Sequence, residues 1–164
     1  MAKRRRNTSG RGPAAPAVGR APSGGESKPE TFDFLGFTHC CAKRWSDGGF
    51  TVIRTSMAKL LGAAVKKICQ TLKAMRATTL DEQGKWLGAV ERGWLGYHAV
   101  PRNFATINSF RDRVIEAWRR ALRRRSQKAA RGISWPAMRA LAARFIPRAT
   151  ILHPYPSQRL GVTT

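Results

Sequence analysis

The longest helical pattern along the chain spans residues 103–125, NFATINSFRDRVIEAWRRALRRR. Large apolar side chains recur every three or four positions, and a helix with 3.6 residues per turn places them on one side. This apolar side consists of Phe104, Ile107, Phe110, Val114, Trp118 and Leu122. Arginines occupy the other side, at Arg113, Arg119, Arg120, Arg123 and Arg124. The pattern predicts an amphipathic helix with a buried apolar face and an exposed cationic face.

Arg111 departs from this division, because it projects within the apolar arc of the same helix. A half-buried arginine needs a carboxylate or carbonyl partner, or must extend its charged end to solvent. We therefore expect Arg111 to stabilise the fold rather than to bind a ligand.

Residues 56–76 form a second amphipathic pattern. Its apolar positions are Met57, Leu61, Ala64, Val65, Ile68, Leu72 and Met75, and the lysines opposite are Lys59, Lys66, Lys67 and Lys73. Serine commonly caps a helix N-terminus, so we expect Ser56 to begin this helix. The exposed face is again purely cationic.

A third helix is predicted to start at Thr79, because Thr79 and Glu82 have the spacing of a capping box. Its apolar stripe is Leu87, Val90, Trp94 and His98, and the Val100-Pro101 pair ends it. Glycines interrupt the helix at Gly84, Gly88, Gly93 and Gly96, and each costs about 1 kcal/mol relative to alanine. They indicate either close contact with another backbone or a break in the helix.

Two strand-like runs, TFDFLGFTHCC and FTVIR, flank an Asp-Gly turn signal and predict a β-hairpin ahead of the helices. Alternation along a continuous first strand puts Phe32 and Phe34 on one face and Leu35 and Phe37 on the other. A strand with bulky side chains on both faces is normally covered on both sides. Either the helices cover this strand, or part of its sheet is missing.

The two ends of the chain differ from this middle part. Residues 1–27 hold too little apolar surface to offset the entropy of ordering, so we expect a disordered basic arm. Near the other end, Ser134 is predicted to cap a short helix, and the prolines after Ile146 predict an extended surface tail. The short helix has a stripe of Trp135, Met138, Leu141 and Phe145.

The predicted fold is mainly α: a β-hairpin followed by a three-helix bundle plus a short C-terminal helix, with a disordered basic N-terminal arm. The predicted boundaries are residues 1–27 for the arm, 28–55 for the hairpin, 56–147 for the helical domain and 148–164 for the tail.

The charge balance points to a polyanionic partner. The chain has 31 lysines and arginines against nine acidic residues, a formal charge of +22. Self-repulsion of that size loosens a compact state unless an anion neutralises it. A solvated face is the alternative interpretation of each cationic stripe, but a face that served only solubility would mix charge signs. Nucleic acid is the leading partner, with RNA and DNA not yet separated.

The three cysteines are an odd number and indicate reduced thiols in a cytoplasmic protein. No apolar run approaches the roughly 18 residues of a membrane span, and the basic start is not followed by the apolar segment of a secretory signal. We therefore expect no membrane association.

Residues for a catalytic or metal site are scattered. A two-metal polymerase or nuclease site needs carboxylates gathered around the metals, and the one adjacent acidic pair, Asp81 and Glu82, lies at the predicted helix start. No Cys or His stands at metal-ligand spacing from His39, His98 or His153. The tryptophans fall mostly on helical stripes, except Trp45 in the hairpin loop, a candidate for stacking on a base. No enzymatic activity, cofactor or metal is predicted.

Four stretches resemble the C-terminal part of group II intron-encoded reverse transcriptases, the thumb or maturase-specific domain. KPETFDFLGFTH (28–39) is similar to the strand that closes the palm, and RGWLGYHAVPRN (92–103) to the turn between thumb helices. ALRRRSQ (121–127) and ILHPYPS (151–157) are similar to motifs near the end of such proteins. Together these stretches occur in the family's order and extend over essentially everything after Ser27.

The resemblance implies a three-helix thumb that helps to grip a template-primer duplex and binds intron RNA to assist splicing and retrohoming. The family's Tyr-x-Asp-Asp motif is absent, so the resemblance does not imply polymerase activity for this chain. It implies a truncated or split polymerase, with a separate palm fragment as a further partner. Leu87-Gly88 departs from the Leu-Asn of many relatives, and Glu91 replaces a usually apolar residue.

The predicted RNA-binding residues are Lys59, Lys66, Lys67, Lys73, Arg92, Arg113, Arg119, Arg120, Arg123, Arg124 and Arg125. The resemblance itself implies an RNA-binding role only for Arg92, Arg119, Arg123, Arg124 and Arg125. Two alternatives stay open: a generic basic nucleic-acid-binding protein, and a non-functional truncated remnant of a mobile element.

Overall fold

A computed structural model describes residues 31–44, 48–126 and 132–155 of the chain. Their structure is mainly helical, at 61%, with a three-stranded antiparallel sheet followed by four helices. The strands are β1 (Thr31–Phe34), β2 (Phe37–Lys43) and β3 (Phe50–Ser56). The helices are α1 (Ala58–Ala74), α2 (Leu80–His98), α3 (Phe104–Arg123) and α4 (Trp135–Phe145), and a 3₁₀ turn, Met75–Ala77, follows α1. The predicted basic arm and Trp45 lie outside the described residues.

The predicted hairpin is wrong in one respect, because its first strand is two strands joined by a tight turn. Leu35 and Gly36 both have positive φ, at 46° and 79°, and Phe34 pairs directly with Phe37. This two-residue turn reverses the chain. As a result Phe32, Phe34 and Phe37 share one face of the sheet, whereas a continuous strand would separate them.

Ser56 is not the cap of α1, since Met57 takes that position. Ser56 ends β3, and its backbone N–H donates to Asn103 Oδ1 at 3.1 Å. Asn103 Nδ2 in turn donates to Ser56 Oγ at 2.7 Å and to the carbonyl of His98 at 2.8 Å. His98 Nδ1 lies 2.7 Å from Ser56 Oγ, and burial lowers the pKa of His98, which favours the neutral ring. This buried network joins the sheet to the start of α3 and the end of α2.

At its other end, α1 is held to α3 by Arg125, whose Nη2 donates to the Thr78 carbonyl at 2.6 Å. Ser56 and Asn103 meet at the first end, so the two helices run parallel. Between these ends lies the core, built mainly from the predicted apolar stripes of α1 and α3. Its members include Leu61, Ile68, Leu72, Phe110, Val114, Trp118 and Leu122. Phe104 departs from its predicted stripe and is 52% exposed.

Helix α2 begins with the predicted capping box. Glu82 N–H donates to Thr79 Oγ1 at 3.2 Å, and Thr79 N–H donates to Glu82 Oε2 at 2.8 Å. In the core, Gln83 Nε2 donates to the Met75 carbonyl at 2.6 Å, and Trp118 Nε1 donates to Gln83 Oε1 at 3.1 Å. The capping box is thus confirmed, and Gln83 links the end of α1 to α3.

Of the two alternatives predicted for the glycines of α2, close packing is observed at Gly84 and Gly88, which contact α4, and the helix is not broken. A Cβ at Gly84 would lie 2.5 Å from the Phe145 ring, and one at Gly88 would overlap the Phe145 carbonyl oxygen. A Cβ at Gly93 or at Gly96 would meet nothing within 4 Å. The predicted cap of α4 is also confirmed, because Ser134 Oγ accepts from the Ala137 N–H at 3.4 Å.

The tail after α4 is attached to the domain at several points. Ile146, the residue at which the extended surface stretch is predicted to begin, is instead buried in the core. The backbone N–H groups of Leu152 and His153 donate to the Ala99 carbonyl at 3.0 and 3.1 Å. Among the described helices, none combines the length and the apolar run that crossing a bilayer requires.

Glu91 is buried at the position where the family resemblance leads one to expect an apolar residue. Neither carboxylate oxygen has a hydrogen-bond partner among the described residues. Burial raises the pKa of Glu91 to about 7, and the charge of Arg111 opposes that rise. A carboxyl group without partners in an apolar core is more stable in its protonated form.

Substituting alanine at the glycines of α2 should separate the effect of packing on the free energy of unfolding from the effect of helix propensity. Gly88→Ala should lower the free energy of unfolding by about 1–3 kcal/mol, because its methyl group meets the backbone of Phe145. Gly93→Ala, the matched control, should leave stability unchanged or raise it by up to about 1 kcal/mol. Denaturant unfolding of both variants measures the difference, and equal effects would contradict the packing of α4 on Gly88.

Glu91 should make the protein less stable as pH rises from about 4.5 to about 7. The unfolded chain releases this proton near the ordinary pKa of 4.5, whereas the folded chain retains it to about pH 7. The full stabilisation is therefore present below pH 4.5, and about 3 kcal/mol of it is lost by pH 7.

Unfolding of the wild type and of Glu91→Gln, at pH values on both sides of this window, provides the test. The difference between the two proteins removes the contribution of His98, whose depressed pKa acts in the opposite direction. We expect the variant to gain stability relative to the wild type as pH rises. Parallel pH profiles would show that Glu91 is not held protonated.

Candidate nucleic-acid interface

Four cations meet along a shallow groove between α1 and α3. Lys73 and Arg76 come from the end of α1 and its 3₁₀ turn, and Arg120 and Arg124 from the end of α3. The groove has a volume of about 130 Å³ and is also lined by Cys69, Leu72, Ala117 and Ala121. We refer to Lys73, Arg76, Arg120 and Arg124 as the cationic cluster.

Helix geometry and packing together place these side chains on one surface. Residues three or four apart are neighbours on a helix surface, which pairs Lys73 with Arg76 and Arg120 with Arg124. The parallel packing of α1 and α3 then brings the two pairs together at the same end of the domain. Three of the four residues are exposed on the predicted cationic faces, and Arg76, also exposed, is an addition to the predicted set.

Charge compensation within the cluster is small. Glu116 pairs with Arg120 and is the one carboxylate paired with the cluster among the described residues. Cations near helix C-termini also interact favourably with the helix dipole, typically by about 0.3–1 kcal/mol each. Like charges four residues apart destabilise a helix by a few tenths of a kcal/mol. A bound polyanion removes this repulsion.

Other predicted residues are exposed but lie outside the cluster. Lys67 lines a separate cleft between α1 and α2, together with Trp86 and Trp94. The groove does not include the remaining predicted cations of this group, which are Lys59, Lys66, Arg92, Arg113 and Arg123. The lysines extend the basic surface along α1, and Arg92 lies on α2.

Arg119 and Arg125 have intramolecular contacts that a helical projection does not reveal. Arg119 Nε donates to the Ile133 carbonyl at 3.2 Å, and its guanidinium lies 4.6 Å from the centre of the Trp135 ring. Arg125 holds the Thr78 carbonyl at the end of α1. Both side chains are half-buried. Their contacts stabilise the packing of α3, so they are less available to phosphate than the cationic cluster.

Arg111 has the kind of partner that its place in the apolar arc requires. Its side chain is half-buried, and its Nε donates to the Pro147 carbonyl at 2.8 Å. This contact ties the start of the tail to α3. Of the alternatives predicted for Arg111, a carbonyl partner is the one observed, and its contribution to stability stays a prediction.

The described residues contain no group of three His, Cys, Asp or Glu side chains that could hold a metal ion. Comparisons with models of known protein families, with curated proteins and with solved structures find no match for this chain. The charged side chains that line the groove are Lys73, Arg76, Arg120 and Arg124.

The double substitution Lys73→Gln/Arg124→Gln should weaken RNA binding and reduce its dependence on salt. Each lost phosphate contact should lower the slope of log affinity against log salt by about 0.7–0.9. Fluorescence anisotropy with a labelled structured RNA over a salt series measures both quantities.

Lys85→Gln is the matched control for this substitution. Lys85 is an exposed lysine on α2, outside the cluster, where it pairs with Asp81 at 2.6 Å. This variant should bind almost as the wild type does. If the cluster variant and Lys85→Gln had the same affinity and slope, the cluster would not be the RNA-binding surface.

Proposed function

We propose that this chain is an RNA-binding domain of the thumb or maturase-specific kind, as in group II intron reverse transcriptases, and that it binds intron RNA to assist splicing and retrohoming. The observation that carries the proposal is the cationic cluster, where two parallel helices present four basic side chains on one surface. The formal charge of +22 favours an anionic partner, because neutralisation relieves the self-repulsion of the chain.

The placement of the family-like motifs supports the same proposal. RGWLGYHAVPRN contains His98 and Asn103, which join the buried network with Ser56. KPETFDFLGFTH contains the Leu35-Gly36 turn, and ILHPYPS contains His153, whose Nε2 lies 2.8 Å from the Gly96 carbonyl oxygen. Residues of three of the four motifs therefore lie at junctions between elements.

The cluster binds RNA through its phosphates. Packed helices lie roughly 8–10 Å apart, so the two pairs of cations form two separate rows that contact the RNA backbone. Such contacts position the domain on the RNA and recognise its shape rather than its base sequence. We assign no catalytic step to this chain. A separate palm fragment is a second proposed partner, and it would supply the polymerase chemistry.

The test compares group II intron RNA with a shuffled structured RNA of the same length, titrated against the full chain across a salt series. A maturase-type domain should prefer the intron RNA, and the preference should persist as salt weakens non-specific contacts. Equal binding of both RNAs at every salt concentration would exclude the maturase function. That result would leave a generic nucleic-acid-binding protein.

A further inference from the structure

One face of the sheet exposes several aromatic side chains. Phe32, Phe34 and Phe50 are 58%, 59% and 69% exposed. The register places them on the same face, because Phe32 pairs with His39, Phe34 with Phe37, and Lys43 with Phe50. Large exposed apolar surfaces are uncommon on proteins and usually mark a binding site. We call this surface the aromatic face.

The aromatic face also carries positive charge. Lys43 stands beside Phe50 in the register, and Arg54 stands beside His39. The carboxylate of β1, Asp33, belongs to the opposite face, where it accepts a hydrogen bond from Thr38 Oγ1 at 2.6 Å. Among the described strand residues, the aromatic face therefore has two fixed cations and no carboxylate.

The face is shaped to accept flat rings. Phe32 stacks parallel to His39, with ring centres 4.8 Å apart and planes 5° apart, while more than half of Phe32 stays exposed. Beside it is a groove of about 560 Å³ between the sheet and the end of α2. Phe34, His39 and Arg54 line one side of the groove, and Tyr97 and His153 the other.

We infer that the aromatic face binds unpaired nucleotides, with bases stacked on Phe32 and Phe34 and phosphates paired with Arg54 and Lys43. Phe32 and Phe34 are two positions apart on one strand, which separates them by about 6.6 Å and allows successive splayed bases to stack. Stacking on an aromatic ring together with cations along the backbone is the usual way in which proteins hold single strands.

Charge favours nucleic acid over an apolar protein as the occupant. A purely apolar protein partner would bury Arg54 and Lys43 without counter-charges, which is costly. A nucleotide brings a ring for each aromatic side chain and a phosphate for each cation. This site lies on the sheet, away from the cationic cluster, so it does not depend on RNA binding at that cluster.

The experiment measures binding of the full chain to two single-stranded probes, a short oligothymidylate and an abasic oligomer with the same backbone. The two probes have equal charge, so a difference in affinity reports stacking. Wild type should bind the base-containing probe at least tenfold more tightly. Phe32→Ala/Phe34→Ala should abolish that difference, and Phe32→Tyr/Phe34→Tyr should retain it because it keeps the rings.

Duplex RNA is the control for the other surface. Binding to the duplex should be unchanged in Phe32→Ala/Phe34→Ala and weakened in Lys73→Gln/Arg124→Gln. Loss of binding at the aromatic face is therefore distinguishable from loss of binding at the cationic cluster. The thermal melt of each variant identifies any loss of fold, and the tyrosine variant provides the comparison if the alanine variant does not fold.

Equal affinity of the wild type for the two single-stranded probes would overturn the inference. So would a base preference that survives in a folded Phe32→Ala/Phe34→Ala protein. If removing the rings instead converts an oligomer into a monomer, with no base preference in either protein, the aromatic face is a contact between copies of the chain and the inference is wrong.

Discussion

The parallel packing of α1 against α3 is held in one register by hydrogen bonds at both ends. Ser56 meets Asn103 at the start, and Thr78 meets Arg125 at the finish, each pair separated by 47 positions along the chain. A slip of one helical turn would shift the helices by about 5.4 Å and break both contacts. It would also move the α1 cations of the cluster away from those of α3. The candidate interface therefore depends on this register.

The interior combines ordinary apolar packing with polar groups that fix positions. Both polar atoms of the Gln83 amide are hydrogen-bonded, Nε2 to Met75 and Oε1 to Trp118, so burying this side chain costs little free energy. Glu91 has no such partners among the described residues, and burial raises its pKa to about 7, which favours the protonated form. The neutral state avoids a buried charge, but it makes the stability of α2 depend on pH. A domain with so many surface cations thus also contains an internal sensitivity to pH.

Periodicity predicted the helices well because burial follows it directly. The stripe from Ile107 to Leu122 and the capping box at Thr79 depend on local spacing alone. The turn at Leu35 could not be predicted in this way, since a positive φ is uncommon for leucine and the alternation appears continuous. Serine is a residue type that commonly caps helices, yet the role of Ser56 is decided by Asn103, a partner distant in sequence.

The interface was predicted less completely than the helices. A helical projection shows which side a cation occupies but not what packs there, so it treated Arg119 as equivalent to Arg124, and the family resemblance did the same for Arg125. The carbonyl of Ile133 and the ring of Trp135 belong to residues after α3, which a projection of α3 alone does not include. Arg76 joins the cluster only through the packing of α1 on α3. Convergence of charges is a property of tertiary structure.

The most direct test of the proposed RNA-binding surface is a lysine acetylation footprint of the full chain with and without saturating intron RNA. Mass spectrometry of Lys73 and Lys85 compares a lysine of the cationic cluster with an exposed lysine elsewhere on the same domain. Binding at the cluster predicts that RNA slows acetylation of Lys73 and leaves Lys85 unchanged. Equal protection of both lysines, or protection of Lys85 alone, would contradict the assignment of the cluster as the RNA-binding surface.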